Sequence, residues 1–186
     1  MSALSTTMMR SDQFLMLGED PPGIKLELAH GEIVMSPSPS PGHSDVIFGL
    51  VEILRPYIRK HRLGKLYGDT DTVLDHWNTR RPDVIFVSTA QLPMIGEKSL
   101  HGSPDLCIEV ISPGSEKMDR GDKFDLYEQR GVKHYWIFDP AKRTAEAYVL
   151  KRGKYVLAAE GKEHVVVKFP PFKSLAIDLA DVWPMK

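Results

Sequence analysis

A chain of 186 residues with 42% hydrophobic and 26% charged side chains is ordinary for a globular protein and long enough to bury a sizeable core in a single domain spanning 1–186. Its formal net charge of -1 excludes a global attraction to nucleic acid, so any such binding must come from a local patch. No apolar run approaches the roughly 20 residues of a membrane helix, no charged-then-apolar leader is expected at Met1–Gly18, and the single cysteine, Cys107, allows no intrachain disulfide, so a cytoplasmic location is expected.

Met1–Arg10 reads as a ragged start, followed by a short helix over Ser11–Gly18 capped by Ser11 or Asp12. Asp20–Gly23 is a turn. Ile24–Leu28 and Glu32–Met35 form a hairpin that bends at Gly31. Three prolines in Ser36–Gly42 remove three backbone donors, so that stretch is expected as a loop over the surface or along a cleft. From His43 or Ser44 to Arg62 the spacing is helical, with Val46, Ile47, Leu50, Val51, Ile53, Leu54 and Ile58 on the apolar face and a kink or break expected at Pro56. Lys65–Gly68 and Thr72–Asp75 read as short strands and Asn78–Arg81 as a turn.

Three apolar strands then follow. Val84–Val87 is preceded by Arg81-Pro82-Asp83, Leu106–Ile111 carries Glu109, and Tyr135–Phe138 runs into Asp139-Pro140. Ala90–Ser103, between the first two, reads as a loop or short helix. A helix over about Glu116–Arg130 separates the last two, with Phe124, Leu126 and Tyr127 available for packing and Gly121 weakening it by roughly 1 kcal/mol. That order suits a right-handed crossover in an α/β sheet. The tail reads as a hairpin about Lys151–Lys154, strands at Val165–Phe169 and Leu175–Ile177, and a helical turn at Leu179–Trp183.

Glu109 stands between Cys107-Ile108 and Val110-Ile111. A carboxylate in a strand buried on both faces must be paired or bound to a metal, because burying a lone charge costs several kcal/mol. Hydrolysis of a phosphodiester calls for a hard cation held by carboxylates and a positive group near the phosphate, and Asp83, Glu109 and Lys123 are of those types. Each also has a plainer reading. Asp83 could cap a turn, Glu109 could pair structurally with Lys123, Lys123 could be solvated, Glu27 could lie on the wet face of the hairpin, and His43 could simply begin a helix. Arg55, Arg59, Lys60, His61, Arg62 and Lys65 form a basic cluster that suits phosphate contacts equally as well as a solvated helix end. His101, Ser103 and Asp105 sit too close together in one loop to favour a hydrolase triad.

The ordered set Glu27–Val34, Ser36–Pro39, His43, Arg81-Pro82-Asp83, Glu109–Pro113, Asp119-Arg120 with Lys123 and Tyr127, Gly131-Val132, Tyr135–Ile137 and Asp139-Pro140 resembles the Uma-two family of restriction-endonuclease-type proteins, within the PD-(D/E)XK nuclease superfamily. The resemblance spans about Leu26–Leu150. It implies an α/β, restriction-endonuclease-like fold with a mixed central sheet flanked by helices, to which this chain adds C-terminal antiparallel strands. It also implies a metal-dependent DNA endonuclease with Mg2+, or Mn2+ as a substitute. Carried over, Asp83 and Glu109 match the two acids of the motif and Glu27 an additional N-terminal acid, giving Asp83, Glu109 and Glu27 as the implied metal ligands. The superfamily lysine would stand at Ile111; Lys123 matches the displaced lysine of this family. His43 matches a histidine found after the proline loop. DNA is the implied partner, and cutting both strands of a duplex favours a homodimer. An idle nucleic-acid-binding or assembly module of the same fold, and a metal-dependent hydrolase of small phosphate esters, stay open as alternatives.

Overall fold

The computed structural model describes residues 8–184; most of the ragged start, Met1 to Thr7, lies outside them. In chain order the elements are α1 (Ser11–Phe14), β1 (Ile24–Ala29), β2 (Glu32–Pro37), α2 (Pro41–Lys60), β3 (Gly64–Gly68), β4 (Thr72–Asp75), β5 (Asn78–Arg80), β6 (Val84–Ser88), β7 (Leu100–His101), β8 (Leu106–Val110), α3 (Lys123–Gln129), β9 (His134–Asp139), β10 (Thr144–Lys151), β11 (Lys154–Lys162), β12 (Val166–Val167) and β13 (Ile177–Asp178). A mixed six-stranded sheet runs β11-β10-β9-β8-β6-β3, and its β8–β9 pair is parallel. A second, five-stranded sheet runs β2-β1-β5-β4-β7. This is the expected mixed α/β architecture with helices on the central sheet and extra antiparallel strands at the C-terminal end.

The central strands β6, β8 and β9 of the six-stranded sheet are largely apolar on both faces because both faces are covered there. Leu106, Ile108 and Val110 point to the side covered by α2, whose Val46, Leu50, Leu54 and Ile58 recur every four residues and are buried against Phe86, Trp136 and Phe138. Each such side chain contributes about 2 kcal/mol of hydrophobic stabilisation. Cys107 and Ile111 point to the other side, with Leu126 and Tyr127 of α3 and with Tyr135 and Ile137 of β9. Glu109 alternates with Ile108 and Val110, so its carboxylate enters this second layer. Burial pushes the Cys107 thiol well above its usual range, which leaves it unreactive core.

Several local expectations differ from the structure. α2 starts at Pro41, inside the proline stretch: Ser40 caps it by accepting from the His43 N–H, and Pro41 occupies the first turn, where a missing N–H is harmless. The helix runs on through Pro56 to Lys60, because Pro56 lies on the exposed face, where water can satisfy the carbonyl it leaves unpaired. Asn78–Arg80 is a buried strand, with Thr79 paired to Leu28 of β1 and Arg80 fully buried. Arg81-Pro82-Asp83 is therefore the corner at which the chain leaves one sheet and enters the other, and proline cannot continue the ladder there. The helix before β9 passes through a π-helical turn at Met118–Asp122 before α3. The stretch Ala90–Ser103 contributes a 3-10 helix over Thr89–Met94 and the short β7.

Candidate active site

β6 and β8 pair antiparallel with Val84 opposite Ile108 and Ile85 opposite Cys107. One further step of that register sets Asp83 opposite Glu109, so two acids 26 positions apart in sequence become cross-strand neighbours on the face covered by α3. Asp83 Oδ2 accepts the Val110 N–H at 2.8 Å and stands 3.1 Å from His43 Nε2, at the start of α2. Burial favours the neutral acid, but the hydrogen bond to His43 and the charges of Lys25 and Lys123 outweigh it and hold Asp83 below the usual carboxylate range.

Glu109 is held from α3. Tyr127 donates its hydroxyl to Oε1 at 2.8 Å, and the Lys123 ammonium stands 2.9 Å from Oε2. Lys123 and Tyr127, four apart on the helix, present one face to the sheet. Complete burial, with the repulsion of Asp83 and Asp119, pushes Glu109 up to about 8 despite Lys123. Burial also works against the charge of Lys123, yet Glu109, Glu27, Asp119 and Asp83 together keep its ammonium well above the usual range.

Glu27 arrives from the second sheet. Its Oε1 accepts the Arg81 N–H at 2.6 Å, and its Oε2 lies 3.9 Å from both Lys123 and Arg80. It is 3% exposed, so it sits beneath the cleft and not on a wet hairpin face. Lys123, Lys25 and Arg80 hold it ionised below its usual range against the cost of burial.

Asp83, Glu109, Lys123 and His43 all line one cleft of about 260 Å³, walled by Ser36 and Pro37 at the end of β2, where the expected loop is still strand, by Ser38 and Pro39 after them, by Asp20 and Asp69, and by Ser112, Ser115 and Asp119. Sequence reasoning named none of three further charged residues as a site candidate: Asp119 and Lys25, which line the cleft, and Arg80, which is buried beneath it. Asp119 lies 3.5 Å from Lys123 and accepts from Ser115 at 2.6 Å; the acid–lysine spacing of four on a helix was its signal. Lys25 shares the face of Glu27, two residues away. Arg80, bound to Asp122 in the π-helical turn, has no sequence signal beyond its polar neighbours. The basic cluster of Arg55–Lys65 lies elsewhere: His43 and Lys60 are at opposite ends of α2, roughly 25 Å apart at 1.5 Å per residue.

A family model described as Uma2, putative restriction endonuclease, matches residues 11–180. The chain belongs to the Uma2 family. Among solved structures it is similar to one whose printed description is the crystal structure of a putative nuclease belonging to DUF820 from Anabaena variabilis ATCC 29413. The two are 21% identical, the match covers 92% of this chain and 95% of that one, and the TM-score is 0.75, a likeness of fold. No curated protein matches.

In this Uma2 chain, Ile111 packs into the core beside α3, and the ammonium against the second acid comes from Lys123 on the helix. Among the described residues no three His, Cys, Asp or Glu side chains stand grouped as a ready-made metal cage. The donors that are present, hard carboxylates in a partly open cleft, suit a cation such as magnesium, which takes one or two carboxylates and keeps several waters. They do not suit one that needs three or more protein ligands. No described helix is long and apolar enough to cross a membrane.

Proposed function

We propose that the protein is a magnesium-dependent endonuclease that hydrolyses phosphodiester bonds in DNA. The observation that carries this reading is the placement of Asp83 and Glu109 across from each other on adjacent strands, with Lys123 on Glu109, in one cleft. Five acidic side chains line that cleft against three basic ones, Lys25, Arg81 and Lys123. Glu109, raised to about 8, adds its negative charge when it ionises, and a divalent cation both favours that ionisation and offsets the acids that would otherwise repel a phosphate diester. Asp83 and Glu109 would hold magnesium, with Glu27 behind them, and the ion would supply charge neutralisation at the phosphate and an activated water.

The chain's own groups set the stage for that chemistry. Lys123 and Tyr127 fix both oxygens of Glu109 and so orient the second acid. Asp83 is anchored at Oδ2 by the Val110 N–H, and the His43 ring, which carries hydrogen on Nε2 in order to donate to a carboxylate, supports it from α2. The positive charge of Lys123 sits beside the place where negative charge would grow on the phosphate.

We further propose a two-fold homodimer in the cytoplasm as the working form, since two sites related by such an axis can cut both strands of a duplex. The exposed Val156 and Leu157 on the edge strand β11 support a contact there. The deciding experiment is a cleavage assay on plasmid and single-stranded DNA with magnesium or manganese beside a chelator control. Metal-dependent conversion of plasmid to nicked or linear forms is expected. Intact DNA under every metal condition overturns the reading.

A further inference from the structure

Two lysines reach the carboxylates of the cleft, and they differ in how fully they are engaged. Lys123 Nζ stands 2.9 Å from Glu109, 3.5 Å from Asp119 and 3.9 Å from Glu27, three carboxylates around an ammonium with three donors. Lys25 Nζ has Asp83 at 3.8 Å and Asp69 at 3.9 Å, beyond hydrogen-bond reach, and its side chain stays 17% exposed at the cleft. Arg81, the third cation of the cleft, is committed, with Nη1 at 2.5 Å from Asp20 and Nε at 3.0 Å from Asp71. Lys25 is thus the cation whose donors remain open toward an incoming anion.

Its surroundings suit that task. Lys25 pairs with Ser36 across the β1–β2 ladder, so the two side chains share a face, and Ser38 follows on the same wall of the cleft. Among the described residues neither serine hydroxyl makes a hydrogen bond within the protein. Moving Lys123 onto a phosphate would strip a buried carboxylate of its partner. Turning Lys25 onto one breaks no hydrogen bond, only charge contacts at 3.8 Å to Asp83 and 3.9 Å to Asp69.

We propose that Lys25, with the hydroxyls of Ser36 and Ser38, forms a subsite for a backbone phosphate of DNA beside the Asp83–Glu109 pair. The subsite rests on the nuclease reading and adds a substrate contact to it. Its function is to hold the strand in register with the acids, a task for a point charge and two adaptable donors; it carries no base recognition.

The test is fluorescence anisotropy of a labelled duplex of about 20 base pairs, titrated at several NaCl concentrations with calcium in place of magnesium to slow turnover. Wild type, Lys25→Gln, Lys25→Arg and Ser36→Ala are compared, and thermal melts confirm folding. Each phosphate neutralised by a cation steepens the fall of log affinity with log salt by about 0.9. Lys25→Gln should flatten that slope by about this amount and weaken binding about tenfold at low salt, Lys25→Arg should restore both, and Ser36→Ala should weaken binding with the slope kept. A Lys25→Gln slope equal to that of wild type, in a protein that binds and cuts DNA, removes the subsite and leaves the nuclease reading standing. A wild type that neither binds nor cuts the duplex removes both.

Discussion

The backbone N–H of Val110 donates to Asp83 Oδ2 over 2.8 Å, which ties the first acid of the cleft to the strand that carries the second. The bond holds two carboxylates face to face across β6 and β8, an arrangement that costs free energy because like charges directly opposite repel. Glu109 answers by resisting ionisation and by taking Lys123 as its partner. Groups perturbed in this way, by burial and by a specific neighbour inside a cleft, are characteristic of sites that bind or react.

Asp83→Asn should leave the fold intact, because the amide oxygen can still accept from Val110. A stability change of about 1 kcal/mol is expected from the weakened hydrogen bonds. The negative charge is gone, so calorimetric titration should show magnesium affinity falling at least about tenfold and cleavage falling with it. Unchanged affinity would mean that Asp83 is no ligand.

Lys123→Ala should separate metal binding from turnover. The acids remain, so magnesium still binds, while cleavage drops by about two to three orders of magnitude through loss of the nearby charge and of Glu109 orientation. Without metal, Glu109, Asp119 and Glu27 lose their shared cation, and the melt should reveal a deficit of about 3 kcal/mol. Magnesium should recover part of it. A variant equally stable with and without the ion would contradict this account.

The pH dependence turns on Glu109. Its carboxyl is raised from about 4.5 in the unfolded chain to about 8 in the folded one, so the folded state binds the extra proton. The stability this confers is fully present below about 4.5 and is lost as pH rises through about 8. Glu109→Gln mimics the protonated form and should melt close to wild type at pH 5, then exceed it progressively toward pH 9. Parallel curves over that range would show that Glu109 titrates normally. Asp83 and Glu27 act in the opposite sense: their depressed values add stability at neutral pH that is lost as the solution is acidified below the ordinary carboxylate range.

Pro56→Ala should stabilise the protein. The residue lies on the exposed side of an unbroken α2, where alanine restores an N–H for the carbonyl of Glu52 and removes the ring. A gain of about 1–2 kcal/mol is expected in chemical denaturation, less than the full helix penalty of proline because proline also restrains the unfolded chain. A loss would mean that the ring makes a packing contact worth more than the missing bond.

Much of this arrangement was legible in the sequence. A carboxylate flanked by Cys107-Ile108 and Val110-Ile111 has few physical options, and a partner on the following helix was among them. The apolar stripe of α2 at every fourth residue was equally plain. What escaped depended on tertiary context. Asn78–Arg80 read as a turn because its residues are polar, and only neighbours such as Asp75, Asp122 and Glu27 make it affordable to bury an asparagine and an arginine there. Pro56 read as a kink or break because a proline inside a helix leaves a carbonyl unpaired, and the helix continues here because that carbonyl, on the exposed side, is left to water. Asp119 and Lys25 were not named as site residues, because their places in the cleft are set by a π-helical turn and by the packing of a second sheet; the spacing of four from Asp119 to Lys123 was the one trace either left.

The corner at Arg81-Pro82-Asp83 means that the cleft is shared between two sheets, with Lys25 and Glu27 on one and Glu109 on the other, and with Lys123 closing them from α3. A chain still emerging from the ribosome that ends before Lys123 already carries Glu27, Asp83 and Glu109, with Lys25, His43 and Arg80, but lacks the ammonium that pairs with Glu109. The full set comes together only after synthesis has passed α3 and the sheets have closed on each other. A partly made or partly unfolded copy therefore has the acids without the assembled cleft, and any activity of the kind proposed waits on the meeting of the two sheets and α3.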